Sequence, residues 1–225
     1  MTNESDENRS AWGRIVGVVL GLPWLDVIPD LWKVLIRRPL QRLVNTGMYE
    51  VLEYKSMLEI LDESGNLARV HKRQKIRYLQ DNIIAYQDQA WGDGESLMNY
   101  KCSPGKAVDR YKVGSTTQIL ISLQETKNRG DVDVFDIQWD VKDSLVLNTE
   151  QWSTTISHET DQLRTQVIFP ASRPPRRVRL IEYSRRRSRL LKQSAIRQLA
   201  DGRYVARWEK RNPRLHEQYI IQWDW

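Results

Sequence analysis

From Gly47 to the C-terminus, apolar residues fall on every second position in a series of short runs separated by turn-forming clusters. That is the signature of half-buried β-strands. Leu52, Tyr54, Leu58 and Ile60 alternate with charged residues, Asp62-Glu63-Ser64-Gly65-Asn66 turns the chain, and Ala68, Val70, Ile76 and Tyr78 return, predicting a first hairpin. Ile83–Tyr86 and a short strand carrying Met98, Tyr100 and Cys102 follow, with a loop expected from Ser103-Pro104-Gly105 through Tyr111. Ile119, Ile121 and Leu123, then Phe135, Ile137, Trp139 and Val141, predict a central hairpin around Lys127–Asp131. Trp152, Thr154 and Ile156 with Leu163, Thr165, Val167 and Phe169 predict another. Val178, Leu180 and Tyr183 begin the basic region, Ser194–Leu199 suits one helical turn, and Tyr204-Ala206-Trp208 with Tyr219-Ile221-Trp223-Trp225 form a last pair.

About a dozen strands at roughly ten-residue spacing imply a mainly β protein, an antiparallel β-sandwich or barrel. One short pattern occurs twice. Ile137-Gln138-Trp139-Asp140 returns as Ile221-Gln222-Trp223-Asp224, and at the same offset Phe135 matches Tyr219, Asn128 matches Asn212 and Glu125 matches Glu209. The repetition suggests two related β-units, residues 47–141 and 142–225. Tyr219, Ile221, Trp223 and Trp225 are expected in the core.

The N-terminal part differs. Residues 1–10 read as a polar, disordered tail. Residues 11–46 read as a short helical apolar segment, beginning with eleven uncharged residues, Ile15–Leu25, and continuing as an amphipathic helix that Asp30 caps. A clean transmembrane span needs about 20 apolar residues, and Asp26, Asp30 and Lys33 interrupt this one. Two readings follow: helices packed on the sheet or on a partner chain, which includes oligomerisation through residues 11–46, or an interfacial membrane anchor. In the second, Trp12, Trp24 and Trp32 lie at headgroup level and Arg37 and Arg38 face anionic lipid. Met1–Asn8 is acidic where a secretory signal would be basic, so the expected location is cytoplasmic, and peripheral on the inner face of a membrane under the anchor reading.

Composition narrows the chemistry. The single cysteine, Cys102, precludes an internal disulfide, and with His71, His158 and His216 far apart there is no Cys/His set for zinc. No nucleophile–base pairing or phosphate loop is visible, so no catalytic residue, metal or cofactor is assigned and a non-enzymatic protein is expected. Cys102 reads as a buried structural thiol and the histidines as surface residues.

Charge supplies the functional lead. The chain carries +6, yet residues 171–214 hold thirteen Arg and two Lys against three acids. Arg173, Arg176, Arg177, Arg179, Arg185, Arg186, Arg187, Arg189 and Lys192 are candidate anion- or phosphate-binding residues, because guanidinium groups contact phosphate in a planar, bidentate manner. The competing reading is a solvated face neutralised by acids elsewhere. Functionally, the sequence suggests a membrane-associated sensor or adaptor whose β-domain recognises a ligand or protein partner. Alternatives are nucleic-acid binding through residues 173–192, favoured if exposed aromatics flank the arginines, and a membrane-disrupting effector triggered through the β-domain. A small phosphorylated ligand would need a pocket.

Overall fold

The computed structural model describes residues 47–91, 95–114, 116–143 and 145–225. The predicted tail, the helical segment 11–46 and the membrane-interface candidates Trp12, Trp24, Trp32, Arg37 and Arg38 lie outside the described residues.

Residues 47–225 form one compact unit. It is mainly β and built of several open sheets, without a closed barrel. The strands are β1 (Tyr49–Ile60), β2 (Leu67–Tyr78), β3 (Ile83–Trp91), β4 (Glu95–Ser103), β5 (Lys106–Val113), β6 (Thr116–Lys127), β7 (Val132–Lys142), β8 (Thr149–Thr155), β9 (Gln162–Phe169), β10 (Arg177–Glu182), β11 (Arg187–Leu190), β12 (Ile196–Gln198), β13 (Tyr204–Arg211) and β14 (Gln218–Asp224). They make a seven-stranded sheet ordered β12-β13-β9-β1-β2-β7-β4, a four-stranded sheet β11-β10-β14-β8 and a three-stranded sheet β3-β6-β5.

One face of the seven-stranded sheet is covered by both smaller sheets. Against the three-stranded sheet, Tyr86 stacks on Phe135 at 4.0 Å between ring centroids. Against the four-stranded sheet, Phe169 meets Trp223 edge-on at 5.4 Å and Trp208 meets Tyr219 at 5.0 Å. The Trp152 Nε1–H donates to Ser56 Oγ across the same interface. Tyr219, Ile221, Trp223 and Trp225 are all buried, as the alternation predicts. So is Trp139, and the two Ile-Gln-Trp-Asp copies therefore bury the same Ile and Trp side chains while lying in different sheets, although Asp140 is buried and Asp224 is not.

Four sequence expectations change. First, three predicted hairpins are corners between sheets. β6 and β7 belong to different sheets, as do β8 with β9 and β13 with β14. A strand buried on one face has the same period-two pattern whether its sequence neighbour lies beside it or across the core. Second, the loop expected from Ser103 to Tyr111 is an abrupt corner followed by β5. Third, the helical turn is a 3-10 turn at Gln193–Ala195 leading into β12. Fourth, a register shift between Val51 and Glu53 turns Val51 inward in place of Leu52, because a bulge reverses the alternation.

The two halves of the sequence meet within the seven-stranded sheet, where β1 pairs with β9 in parallel from Tyr54↔Leu163 to Glu59↔Ile168. The other strand pairs are antiparallel among the described residues, apart from a parallel bridge at Val51↔Thr160 on the same β1 edge.

Candidate functional site: a cationic cleft where the chain changes sheets

Between β11 and β12 the chain leaves the four-stranded sheet and joins the seven-stranded one. This crossing walls a cleft of about 610 Å³ lined by Arg189, Leu190, Leu191, Lys192, Ser194, Ala195, Arg197, Arg207, Trp208 and Glu209. Leu190 is 61% exposed, whereas Trp208 is buried and Leu191 packs on the core. The cleft therefore has an apolar wall beside a cationic rim.

Strand geometry explains how Arg189 comes to this place. It pairs with buried Leu180 and so points to the core-facing side of its sheet. Because β11 is an edge strand, that side continues past the core and Arg189 is exposed. Lys192 precedes the 3-10 turn, whose Ala195 N–H returns to the Lys192 carbonyl at 2.8 Å. Arg197 is exposed on β12.

The cations of the cleft differ in their state of pairing. Arg207 and Glu209 form an ion pair, and Arg164 also reaches Glu209 at 2.8 Å. Burial pushes the Glu209 carboxyl up, but Arg207 and Arg164 outweigh it and hold the group below the usual range. Arg189, Lys192 and Arg197 have no ion-pair partner among the described residues. Three uncompensated cations around an opening of this size suit an oxyanion carrying an apolar part.

The other predicted anion-binding residues are dispersed. Arg173 donates to the carbonyls of Glu63 and Ser64 and covers the Trp225 ring, a clamping role. Arg177 pairs with Asp224 at 2.6 Å, and Arg179 lies beside Gln222 on the same sheet. Arg176 is exposed near that end, its N–H on the Asp224 carbonyl. Arg185 is 3.7 Å from Glu182, Arg186 occupies a left-handed turn position with φ of 50°, and Arg187 is exposed on β11. Of the nine, the structure brings Arg189 and Lys192 to the cleft and adds Arg197 and Arg207. Those two were counted in the basic excess, but no local pattern marked them.

A second basic array has its arginines ion-paired. Along the outward positions of β2, Arg69 pairs with Asp140, Arg73 approaches Asp136 and Arg77 pairs with Glu50, with the imidazole of His71 beside Glu59. Arg69, with Asn99 assisting, holds the Asp140 carboxyl below its ordinary value despite burial. This face is an ion-pair ladder, which separates it from the unpaired cleft.

Cys102 is half-buried, with burial pushing its thiol up. Contrary to the surface reading, His158 stacks on Tyr49 at 4.3 Å and burial pulls its imidazole down. Among the described residues no group of three His, Cys, Asp or Glu side chains is arranged to hold a metal ion.

The sequence matches no family model and no curated protein. Solved structures superpose on part of it at low sequence identity. A mutant M1 zinc metallopeptidase from Deinococcus radiodurans, bound to a Tyr-Ser-Ala substrate, superposes with a TM-score of 0.50 at 8% identity, over 79% of this chain and 43% of that one. A two-domain M1 zinc metallopeptidase mutant bound to L-tryptophan gives 0.49, again at 8% identity over 79% and 43%. A protease-like protein from Parabacteroides distasonis gives 0.46 at 8% identity over 79% and 40%. The chain spans less than half the length of these structures, and at such identity the likeness is one of fold alone.

Proposed function

We propose that this protein is a membrane-associated binding module whose β-domain receives a small anionic ligand with an apolar portion in the cleft beneath Leu190–Ala195. The observation that carries this reading is the set of cations without an ion-pair partner among the described residues, Arg189, Lys192 and Arg197, beside Leu191 and Trp208. The oxyanion would meet the cations and the apolar part would cover the Leu191–Trp208 wall. The membrane component rests on the apolar run at Ile15–Leu25 with its tryptophans and following arginines. Two related β-units forming a sandwich would provide the rigid frame.

Calorimetric titration tests the cleft. Dodecyl phosphate below its micellar concentration should bind the intact protein, inorganic phosphate should bind more weakly, and dodecyl maltoside should not bind. The triple variant Arg189→Glu, Lys192→Glu, Arg197→Glu should lose the dodecyl phosphate signal while keeping its melting temperature. Undiminished binding to that folded variant would refute the assignment.

One observation favours nucleic acid as a second reading. Tyr183 is 64% exposed at the turn that carries Arg185 and Arg186, an aromatic platform beside cations. Oligothymidylate binding that falls steeply with salt and is lost in Tyr183→Ala would support it; binding unaffected by both would exclude it.

A further inference from the structure

β5 is an open edge. It pairs with β6 from Lys106↔Ser122 to Val113↔Thr116, and no described strand pairs with its other side. All eight of its residues are exposed. A strand of this length with a free row of N–H and C=O groups is a template for another strand, and edges are commonly blunted by shortness, proline or a covering element. β5 contains no proline, and a register shift at Val108 is its one irregularity.

We propose that β5 captures an extended acidic segment of a partner polypeptide by strand addition. Lys106, Arg110 and Lys112 have no ion-pair partner among the described residues, and the single acid, Asp109, turns back to the Arg110 N–H at 2.8 Å. Arg110 and Lys112 project on one face, opposite Ile119 and Thr117, while Tyr111 and Val113 project on the other with Leu120. Tyr111 and Val113 are 50% and 56% exposed. The incoming strand is therefore specified on both faces: carboxylates toward Arg110 and Lys112, apolar groups toward Tyr111 and Val113.

A second copy of this chain fits poorly. Antiparallel self-pairing centred on Asp109 sets Asp109 against itself and Lys106 against Lys112. Centring on Arg110 sets Arg110 against itself, and parallel in-register pairing stacks like on like at every position. Opposed like charges destabilise a sheet, so the cations that would draw in an acidic strand also keep copies apart. A nucleic acid would answer the charges but leave the backbone edge unpaired.

Fluorescence anisotropy with the intact protein tests this. The probes are a labelled decapeptide alternating Glu and Val, the same peptide with Lys for Glu, the Glu–Val peptide N-methylated at alternate residues, and labelled oligothymidylate. The Glu–Val peptide should bind. Arg110→Glu with Lys112→Glu should weaken it about tenfold or more, with unchanged melting temperature, and N-methylation should abolish binding at unchanged charge. The triple cleft variant should bind the peptide normally. Equal binding of the N-methylated or Lys–Val peptide, indifference to the charge reversal, or tighter binding of oligothymidylate at the same residues would overturn the proposal.

Discussion

The Lys72 ammonium meets the Asp88 carboxylate at 2.5 Å inside the protein, tying β2 of the seven-stranded sheet to β3 of the three-stranded sheet. Lys72 also donates to the Gln89 carbonyl at 2.9 Å, and the Tyr100 hydroxyl donates to the other Asp88 oxygen at 3.0 Å. Burial pulls the Lys72 pKa down, but Asp88 and Tyr54 outweigh it and leave it above the ordinary lysine value. Breaking such a pair leaves one buried charge unanswered, at a cost of about 3–5 kcal/mol, whereas an apolar replacement of both partners is often neutral. Lys72→Met and Asp88→Leu should each lower urea-unfolding stability by that amount, and the double variant should recover most of it. Additive losses would show that the pair does not act as a unit.

Gly65 has a φ of 81°, and a Cβ there would lie 2.1 Å from the Leu145 carbonyl oxygen. The β1–β2 turn and the segment after β7 approach each other at this point, with the Asp143 N–H on the Asn66 carbonyl. Gly65→Ala should therefore cost at least about 2 kcal/mol, from the left-handed conformation together with the clash. Gly130→Ala serves as the control: it shares a positive φ, yet nothing lies within 4 Å of its Cβ position. It should cost less in the same thermal melt.

Burial holds the His158 imidazole below its ordinary value of 6.5, and His71 is shifted in the same direction. The unfolded chain then takes up these protons at a higher pH than the folded chain. The histidine contribution to stability should be flat above about pH 7.5 and fall as the pH drops through 6.5 toward the folded values. His158→Gln should remove part of this slope and His71→Gln a further part. A slope unchanged in both variants would contradict the assignment.

Trp223 and Trp225 surround Phe169, edge-on at 5.4 and 5.8 Å, and the Arg173 guanidinium covers the Trp225 ring at 3.9 Å. Trp223→Ala should cost about 3–5 kcal/mol, as expected for a buried tryptophan. Removal of residues 223–225 should abolish cooperative folding. Arg173→Ala should cost about 1 kcal/mol through the lost ring contact and turn hydrogen bonds. A cooperatively melting truncation, seen by near-ultraviolet circular dichroism, would contradict this account of the C-terminal strand.

Local pattern alone located most strands and much of the core. Ala68, Val70, Ile76 and Tyr78, and again Tyr219, Ile221, Trp223 and Trp225, are buried where alternation places them, because the period of two depends on neighbouring residues only. Lys72 and Gln74 were not legible as interior, although they occupy inward positions of β2. Their polarity is tolerated only because Asp88 and Tyr86 arrive from another sheet. Partner choice was hidden for a related reason: an apolar strand face is served equally by a neighbour beside it or by a sheet across the core, so β6–β7, β8–β9 and β13–β14 resemble hairpins but are corners. The candidate cleft follows the same logic. The sequence by itself determined that positive charge concentrates at residues 171–214. Only the tertiary structure decided which charges are spent on Asp224, Glu182 and Trp225 and which stay unpaired beside Leu191, because pairing depends on distances across sheets that residue order does not contain.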